Sequence, residues 1–129
     1  MVIDTSVLFA FYAAFDPNHE EAVRALEQMR RAKETLIVPH EVVMELCSVL
    51  IYKSSLDDSL AAVEGILGDS LYYETDPLPS GQVVLLLKEL GAPISYTDAT
   101  VLLHGRNARQ EILTFDRQMK SLWKKMQRA

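Results

Sequence analysis

The sequence predicts one α/β domain built on a mainly parallel sheet. Three observations lead there. Short β-rich runs alternate with longer helical runs along the chain. The 129 residues suit one domain, spanning 1–129, and leave little room for a second. Apolar residues make up 49% and charged residues 24%, close to globular averages, so a buried core is expected and disorder is not.

Met1–Ile3 is a brief apolar start ending at Asp4, and Thr5 to about Ala14 reads as a helix apolar nearly all round, hence buried. Asp16-Pro17-Asn18 breaks it, and Asn18 with Glu21 three residues on has the form of a helix start running to about Lys33. Leu36-Ile37-Val38 is β-rich, and Pro39 suits the first turn of a helix to about Lys53. Ser55 or Asp57 can cap a further helix to Leu67, stopped by Gly68. Leu71-Tyr72-Tyr73 reads as a strand, and Ser80 to Leu90 as a helix ended by Gly91 and Pro93. A helix starting near Ser95–Thr97 runs to about Asn107, Ile112-Leu113-Thr114 is the last β-run, and Arg117–Arg128 is a terminal helix.

Several classes are excluded. The longest apolar run, Val7 to Phe15, is too short to span a membrane. Asp4 stands before that run and the first basic residue is Arg24, so no secretory signal is expected. The single Cys47 rules out a disulfide framework or a Cys-rich zinc site and reads as a small buried hydrophobe. His19, His40 and His104 show no ligand spacing. The expectation is a soluble, cytoplasmic protein.

The informative feature is the placement of four acids. Asp4 and Asp116 directly or nearly follow β-runs, and in an open parallel sheet ligands bind at the carboxyl ends of the strands. At 100° per residue Glu45 lies about 40° from Val49 and about 60° from Val42, at the edge of its helix's apolar stripe. Asp98 is in the first turn of its helix, one turn before Leu102. All four can point at one edge of the sheet. Taken singly each has a plain reading: Ser95-x-x-Asp98 as a capping box, Asp4 and Asp116 as N-caps, Glu45 as a solvated edge acid. Together they would repel unless a counter-charge is present, and a hard divalent ion such as Mg²⁺ or Mn²⁺ supplies one from oxygen ligands. Such an ion can activate water for in-line attack on a phosphate.

These segments resemble the PIN-domain family of metal-dependent ribonucleases, which includes the toxins of toxin–antitoxin pairs. Val2-Ile3-Asp4-Thr5-Ser6-Val7-Leu8 resembles its opening strand and first acid, and Val38-Pro39-His40-Glu41-Val42-Val43-Met44-Glu45-Leu46 its glutamate segment. Ile94-Ser95-Tyr96-Thr97-Asp98-Ala99 resembles its third acid, at the start of a helix, and Leu113-Thr114-Phe115-Asp116 its last strand and fourth acid. The resemblance implies a three-layer α/β/α fold with a central parallel sheet, Mg²⁺ or Mn²⁺ as cofactor, and hydrolysis of RNA. By position it makes Asp4, Glu45, Asp98 and Asp116 the metal-binding, catalytic acids, with Ser6 and Thr114 as supporting hydroxyls. It also implies an antitoxin partner, docked in an apolar groove that Phe9, Phe11, Tyr12 and Phe15 could supply, although core packing accounts for most of those side chains, and a homodimer, with which an exposed Trp123 would be compatible. Only three residues precede Asp4, so the first strand is expected to be short and prone to fray.

Net charge is −5, but residues 106–129 hold seven basic residues against two acidic ones. Arg117, Lys120, Lys124 and Arg128, at spacings of 3, 4 and 4, form one stripe that can hold an RNA backbone or simply face water. Tyr12, Tyr52, Tyr72, Tyr73 and Tyr96 can stack bases, although packing accounts for most of them. Trp123 reads as a packing or dimer anchor. A dehalogenase-type phosphatase would need an acid where Ser6 stands, and a phosphoacceptor domain needs an acidic pair after the first strand and a lysine after the last. The remaining alternatives are a non-catalytic PIN-like RNA- or protein-binding scaffold and a structure-specific DNA nuclease.

Overall fold

The chain runs β1 (Val2–Ile3), α1 (Thr5–Tyr12), α2 (His19–Arg31), β2 (Leu36–Val38), α3 (His40–Lys53), α4 (Leu56–Leu67), β3 (Tyr72–Glu74), α5 (Ser80–Leu90), α6 (Tyr96–Ala108), β4 (Ile112–Leu113) and α7 (Arg117–Arg128). The structure, a computed structural model, describes residues 1–128. The four strands are all parallel in the order β3-β2-β1-β4, flanked by the helices in the α/β/α arrangement. Because β4 pairs on the opposite side of β1 from β2, the order reverses at β1. A crevice therefore opens outside the carboxyl ends of β1 and β4.

Most boundaries follow from local chemistry. Ser55 and Ser95 each accept the backbone N–H three residues on, at Asp58 and Asp98, capping α4 and α6. Gly91 ends α5 in the left-handed region at φ 59°, which costs a residue without Cβ nothing. Three details differ from expectation. Asn18 makes no side-chain cap on α2; its own N–H is taken by Asp16 Oδ1. β3 begins at Tyr72 rather than Leu71, because the Leu71 N–H is tied to Asp69 Oδ1 and only its carbonyl reaches Leu36. β1 is short, yet it is one of the two inner strands, fully buried and bonded on both sides through Val2 N–H to Glu111 O, Asp4 N–H to Leu113 O and Ile37 N–H to Met1 O. The frayed start expected from its length is not what the fold contains.

A continuous apolar core joins β1 and β2 to α1, α3 and α6, with Ile3, Leu8, Leu36, Leu46 and Leu102 fully buried. Cys47 is half-buried rather than enclosed, at the α3–α4 contact where the Ser59 hydroxyl donates to its carbonyl. Trp123 is only 9% exposed and packs inward, its Nε1–H donating to Glu111 Oε2. It is therefore a packing residue, and the dimer argument that needed it exposed falls away. His40 pairs with Glu74, His19 Nδ1 lies 2.7 Å from Ala10 O, and His104 Nε2 lies 3.2 Å from Thr75 Oγ1. No helix among the described residues is long and apolar enough to cross a membrane.

The docking of α7 on α6 depends on one missing side chain. A Cβ on Gly105 would sit 2.9 Å from Ile112 Cγ2 and 3.0 Å from the Trp123 ring. Gly→Ala inside an exposed helix ordinarily stabilises by about 1 kcal/mol. Here overpacking reverses the sign, and Gly105→Ala should lose about 1–3 kcal/mol, measured by urea unfolding.

Candidate functional site

Asp4 closes β1 and opens α1, and it is 2% exposed. Burial of a carboxylate requires donors, and three converge on it. Thr5 N–H donates to Oδ1 at 2.8 Å, Thr114 Oγ1 to Oδ2 at 2.7 Å, and Ser6 Oγ to Oδ2 at 3.0 Å. The two hydroxyls are themselves held from behind: Phe115 N–H donates to Ser6 Oγ and Asp116 N–H to Thr114 Oγ1. A relay thus links the turn after β4 to the acid after β1. Burial holds the Asp4 carboxyl above the usual carboxylate range; the hydrogen bonds from Thr114, Ser6 and Thr5 oppose this, and the charge of Glu45 adds to it.

Glu45 reaches the same place from α3, one turn after the buried Glu41–Val43 segment. Asp98 arrives from the first turn of α6, where the Ser95 cap fixes its backbone. The Asp98 carboxyl is pushed up to about 6, first by burial and then by the charges of Asp4, Glu45 and Asp116. Asp116 is exposed at the rim, and its Oδ1 accepts the Met119 N–H, capping α7. The capping readings of Asp4 and Asp116 are therefore correct, and they coexist with convergence: one oxygen caps while the group faces the cleft.

The structure brings all four acids together. Asp4, Glu45, Asp98 and Asp116 line one cleft of about 240 Å³ with Thr5, Ser6, Phe9 and Val49. No lysine, arginine or histidine is among these residues. Three half-buried or buried carboxylates and a fourth at the mouth, with hydroxyls and no cation, make an oxygen-only donor set of the kind hard divalent ions take. The carboxylates stand apart around an open cleft: among the described residues no three His, Cys, Asp or Glu side chains are placed to hold a metal ion as they stand.

The basic stripe lies elsewhere. Arg117, Lys120, Lys124 and Arg128 are exposed on α7, on the side away from the buried Met119, Leu122 and Trp123. Only Arg117 adjoins the cleft, through its neighbour Asp116. Phe9, Phe11 and Tyr12 are partly buried against the core, while Phe15 is 63% exposed. Tyr12, Ala13, Ala14 and Phe15 form one wall of a mostly apolar cavity of about 400 Å³ whose other wall is Ser54, Asp58, Ala61 and Ala62. Sequence reasoning passed over Glu41, which is buried against α6 and lines a second cavity sharing Glu45 with the cleft. Its i, i+4 spacing from Glu45 was the available signal.

Comparison with known proteins matches this arrangement. The family model of the PIN domain matches residues 1–125. The VapC ribonuclease of Aquifex aeolicus (strain VF5) is 29% identical over 125 residues, covering 94% of this chain and 90% of that protein. The crystal structure of Mycobacterium tuberculosis VapC20, a sarcin–ricin loop cleaving toxin, is similar with a TM-score of 0.76 at 18% identity, covering 93% of this chain and 92% of that one. PAE2754 from Pyrobaculum aerophilum is similar with a TM-score of 0.65 at 18% identity, covering 94% of this chain and 77% of that one. With a sheet reversing at β1, acids at its carboxyl edge and a family match over nearly its whole length, the chain belongs to the PIN domain family.

Proposed function

We propose that this protein is a Mg²⁺- or Mn²⁺-dependent endoribonuclease, the toxin of a toxin–antitoxin pair, acting in the cytoplasm as a single domain. The observation that carries the proposal is the cleft itself: four carboxylates and no basic side chain at the carboxyl ends of β1 and β4. The similarity to a VapC ribonuclease over most of both chains supports RNA as substrate.

In this reading Asp4, Glu45, Asp98 and Asp116 hold the ion. When bound, it neutralises their charge, lowers the pKa of a water and polarises the phosphodiester for in-line displacement. Ser6 and Thr114 orient Asp4, because each donates to Oδ2 while accepting a backbone N–H that fixes its direction. No side chain serves as a covalent nucleophile. Arg117, Lys120, Lys124 and Arg128 hold the RNA backbone leading away from the cleft along α7. An antitoxin is expected to lay an apolar segment in the cavity beside Phe15, and the active protein is expected to be a homodimer.

Three outcomes test the proposal. Wild type should cut a mixed RNA pool with Mn²⁺ and not with EDTA, and should leave duplex and branched DNA intact; Asp98→Asn should lose the cleavage. Equal activity of the two proteins, or cutting in EDTA, would sink the assignment, and DNA cleavage would favour the structure-specific nuclease. No cleavage and no Mn²⁺-induced rise in melting temperature would favour the scaffold.

Asp98 also predicts a pH effect without divalent ions. Its carboxyl titrates at about 6 in the folded protein against 3.8 for the free group, so the folded state binds the proton more tightly. The ionised form costs stability above about pH 6, and this cost disappears as pH falls towards 3.8. Because the group is half-exposed and screened by water, Asp98→Asn should stabilise the ion-free protein at pH 7.5 by only about 1 kcal/mol. The gain should vanish near pH 4, as read by thermal unfolding in EDTA.

Replacing Lys120 and Lys124 together by Ala should flatten the plot of log affinity against log salt for single-stranded RNA by roughly 1.4, about 0.7 per phosphate contact. An unchanged slope would leave α7 a solvated helix.

A further inference from the structure

One face of α3 and the start of α6 border an open, shallow cavity of about 380 Å³ lined by Glu41, Met44, Glu45, Ser48, Tyr96 and Thr97. The four α3 residues fall at i, i+3, i+4 and i+7, a single helical stripe. Glu45 belongs both to this cavity and to the acidic cleft, so the two adjoin. The size suits a small planar ligand.

The wall contains an unsatisfied group. Glu41 is only 9% exposed, and its Oε1 is buried with no hydrogen-bond partner among the described residues. No lysine or arginine lines the cavity. His104 stands near Glu41 on α6, with its Nε2 beside Thr75. A carboxylate oxygen left without a donor carries its full desolvation cost, which a ligand bringing N–H groups would relieve. Tyr96 and Met44, both exposed, add flat apolar surface, and the Tyr96 hydroxyl lies 3.3 Å from Ser80 Oγ at the start of α5.

We infer that this cavity is a base subsite selective for guanine, seating the nucleotide next to the phosphate held at the acidic cleft; the inference rests on the ribonuclease reading above. A carboxylate only accepts hydrogen bonds, and once the Glu41 side chain turns its buried Oε1 towards the cavity, its two oxygens match two neighbouring donors. Guanine offers such a pair in N1–H and the N2 amine. Adenine and cytosine set a ring acceptor beside their amine, and uracil flanks its one N–H with two carbonyls. The Tyr96 ring and the Met44 thioether stack on the face of the base, as single-stranded RNA modules stack bases on aromatic side chains. Ser48 and Thr97 supply hydroxyls at the edge.

The test is fluorescence anisotropy of labelled five-nucleotide RNAs in Ca²⁺, a hard ion that takes oxygen ligands, with uridine throughout except for a central guanine, adenine, cytosine or inosine. Wild type should bind the guanine RNA about tenfold tighter than the adenine or cytosine RNA, and inosine, which lacks the N2 amine, should lose most of that advantage. Glu41→Gln should erase the guanine preference while keeping the affinity for all-uridine RNA and a melting temperature at or above wild type. Tyr96→Leu should weaken guanine binding without touching the unfolding curve. Equal affinity for all central bases, or a guanine preference that survives Glu41→Gln, would overturn the subsite. Sequencing the products of an RNA pool cut in Mn²⁺ separates the two ideas. Cleavage with no base preference removes the subsite and keeps the nuclease, whereas guanine-selective binding without any cleavage keeps the subsite and removes the nuclease.

Discussion

A single buried carboxylate organises this end of the molecule. Asp4 ends an inner strand of the sheet where its neighbours leave almost no access to water. Burial of a charge is tolerated only with strong compensation, and no cationic side chain lines the cleft to provide it. The compensation is a set of oriented dipoles: a backbone N–H from the first turn of α1 and two hydroxyls, from α1 and from the end of β4. Because Phe115 and Asp116 donate to those hydroxyls in turn, the carboxylate fastens the β1–α1 turn to the β4–α7 turn. The shortness of β1 and β4 follows. Two residues each suffice when side-chain bonding continues the connection that backbone pairing begins.

The same logic explains what was legible in the sequence. Ser55, Ser95 and Gly91 act on backbone groups within four residues, so their effect could be read from spacing. The helix start at Asn18 was read correctly although its side chain makes no cap, and the third strand begins one residue later than read because Asp69 takes the Leu71 N–H, a competition that propensity does not resolve. The four acids were legible because each stands at the end of a strand or in the first turns of a helix. A parallel sheet with alternating helices brings such positions to one edge. For Trp123 the packing reading holds, but where it packs was not legible, because the notch that receives the ring is made by Gly105 on another helix. Glu41 was hidden for a related reason. Its angular position on α3 could be read, but its burial is imposed by α6, which the order of residues does not place.

Charge is distributed to suit this geometry. The chain apart from its last 24 residues carries six basic and sixteen acidic residues, an excess that would repel a polyanion. The terminal helix reverses the sign locally, and its burial pattern decides where the charge goes. Met119, Leu122 and Trp123 turn one face to the core and leave Arg117, Lys120, Lys124 and Arg128 on the other. The helix begins at Asp116, so the positive stripe starts at the mouth of the acidic cleft and leads away from it. In the proposed reading, a phosphate chain attracted to the stripe would be led towards the mouth of the acidic cleft.

The cleft is also where the fold gives up stability. Asp98 titrates near 6 because burial, and then the charges of three other acids, disfavour its ionised form, and Glu41 has a buried oxygen with no donor. Elsewhere the fold satisfies such groups: Ser59 donates to Cys47, Trp123 to Glu111, and Arg30 pairs with Asp69. The unfavourable groups are therefore confined to two adjoining cavities that share Glu45. A protein that only bound partners through its outer surface would gain from replacing these acids with amides or apolar residues of similar size. A protein that must capture a cation, and beside it a ligand rich in donors, gains from keeping them, because the cost of the empty cleft is recovered as selective affinity when both arrive.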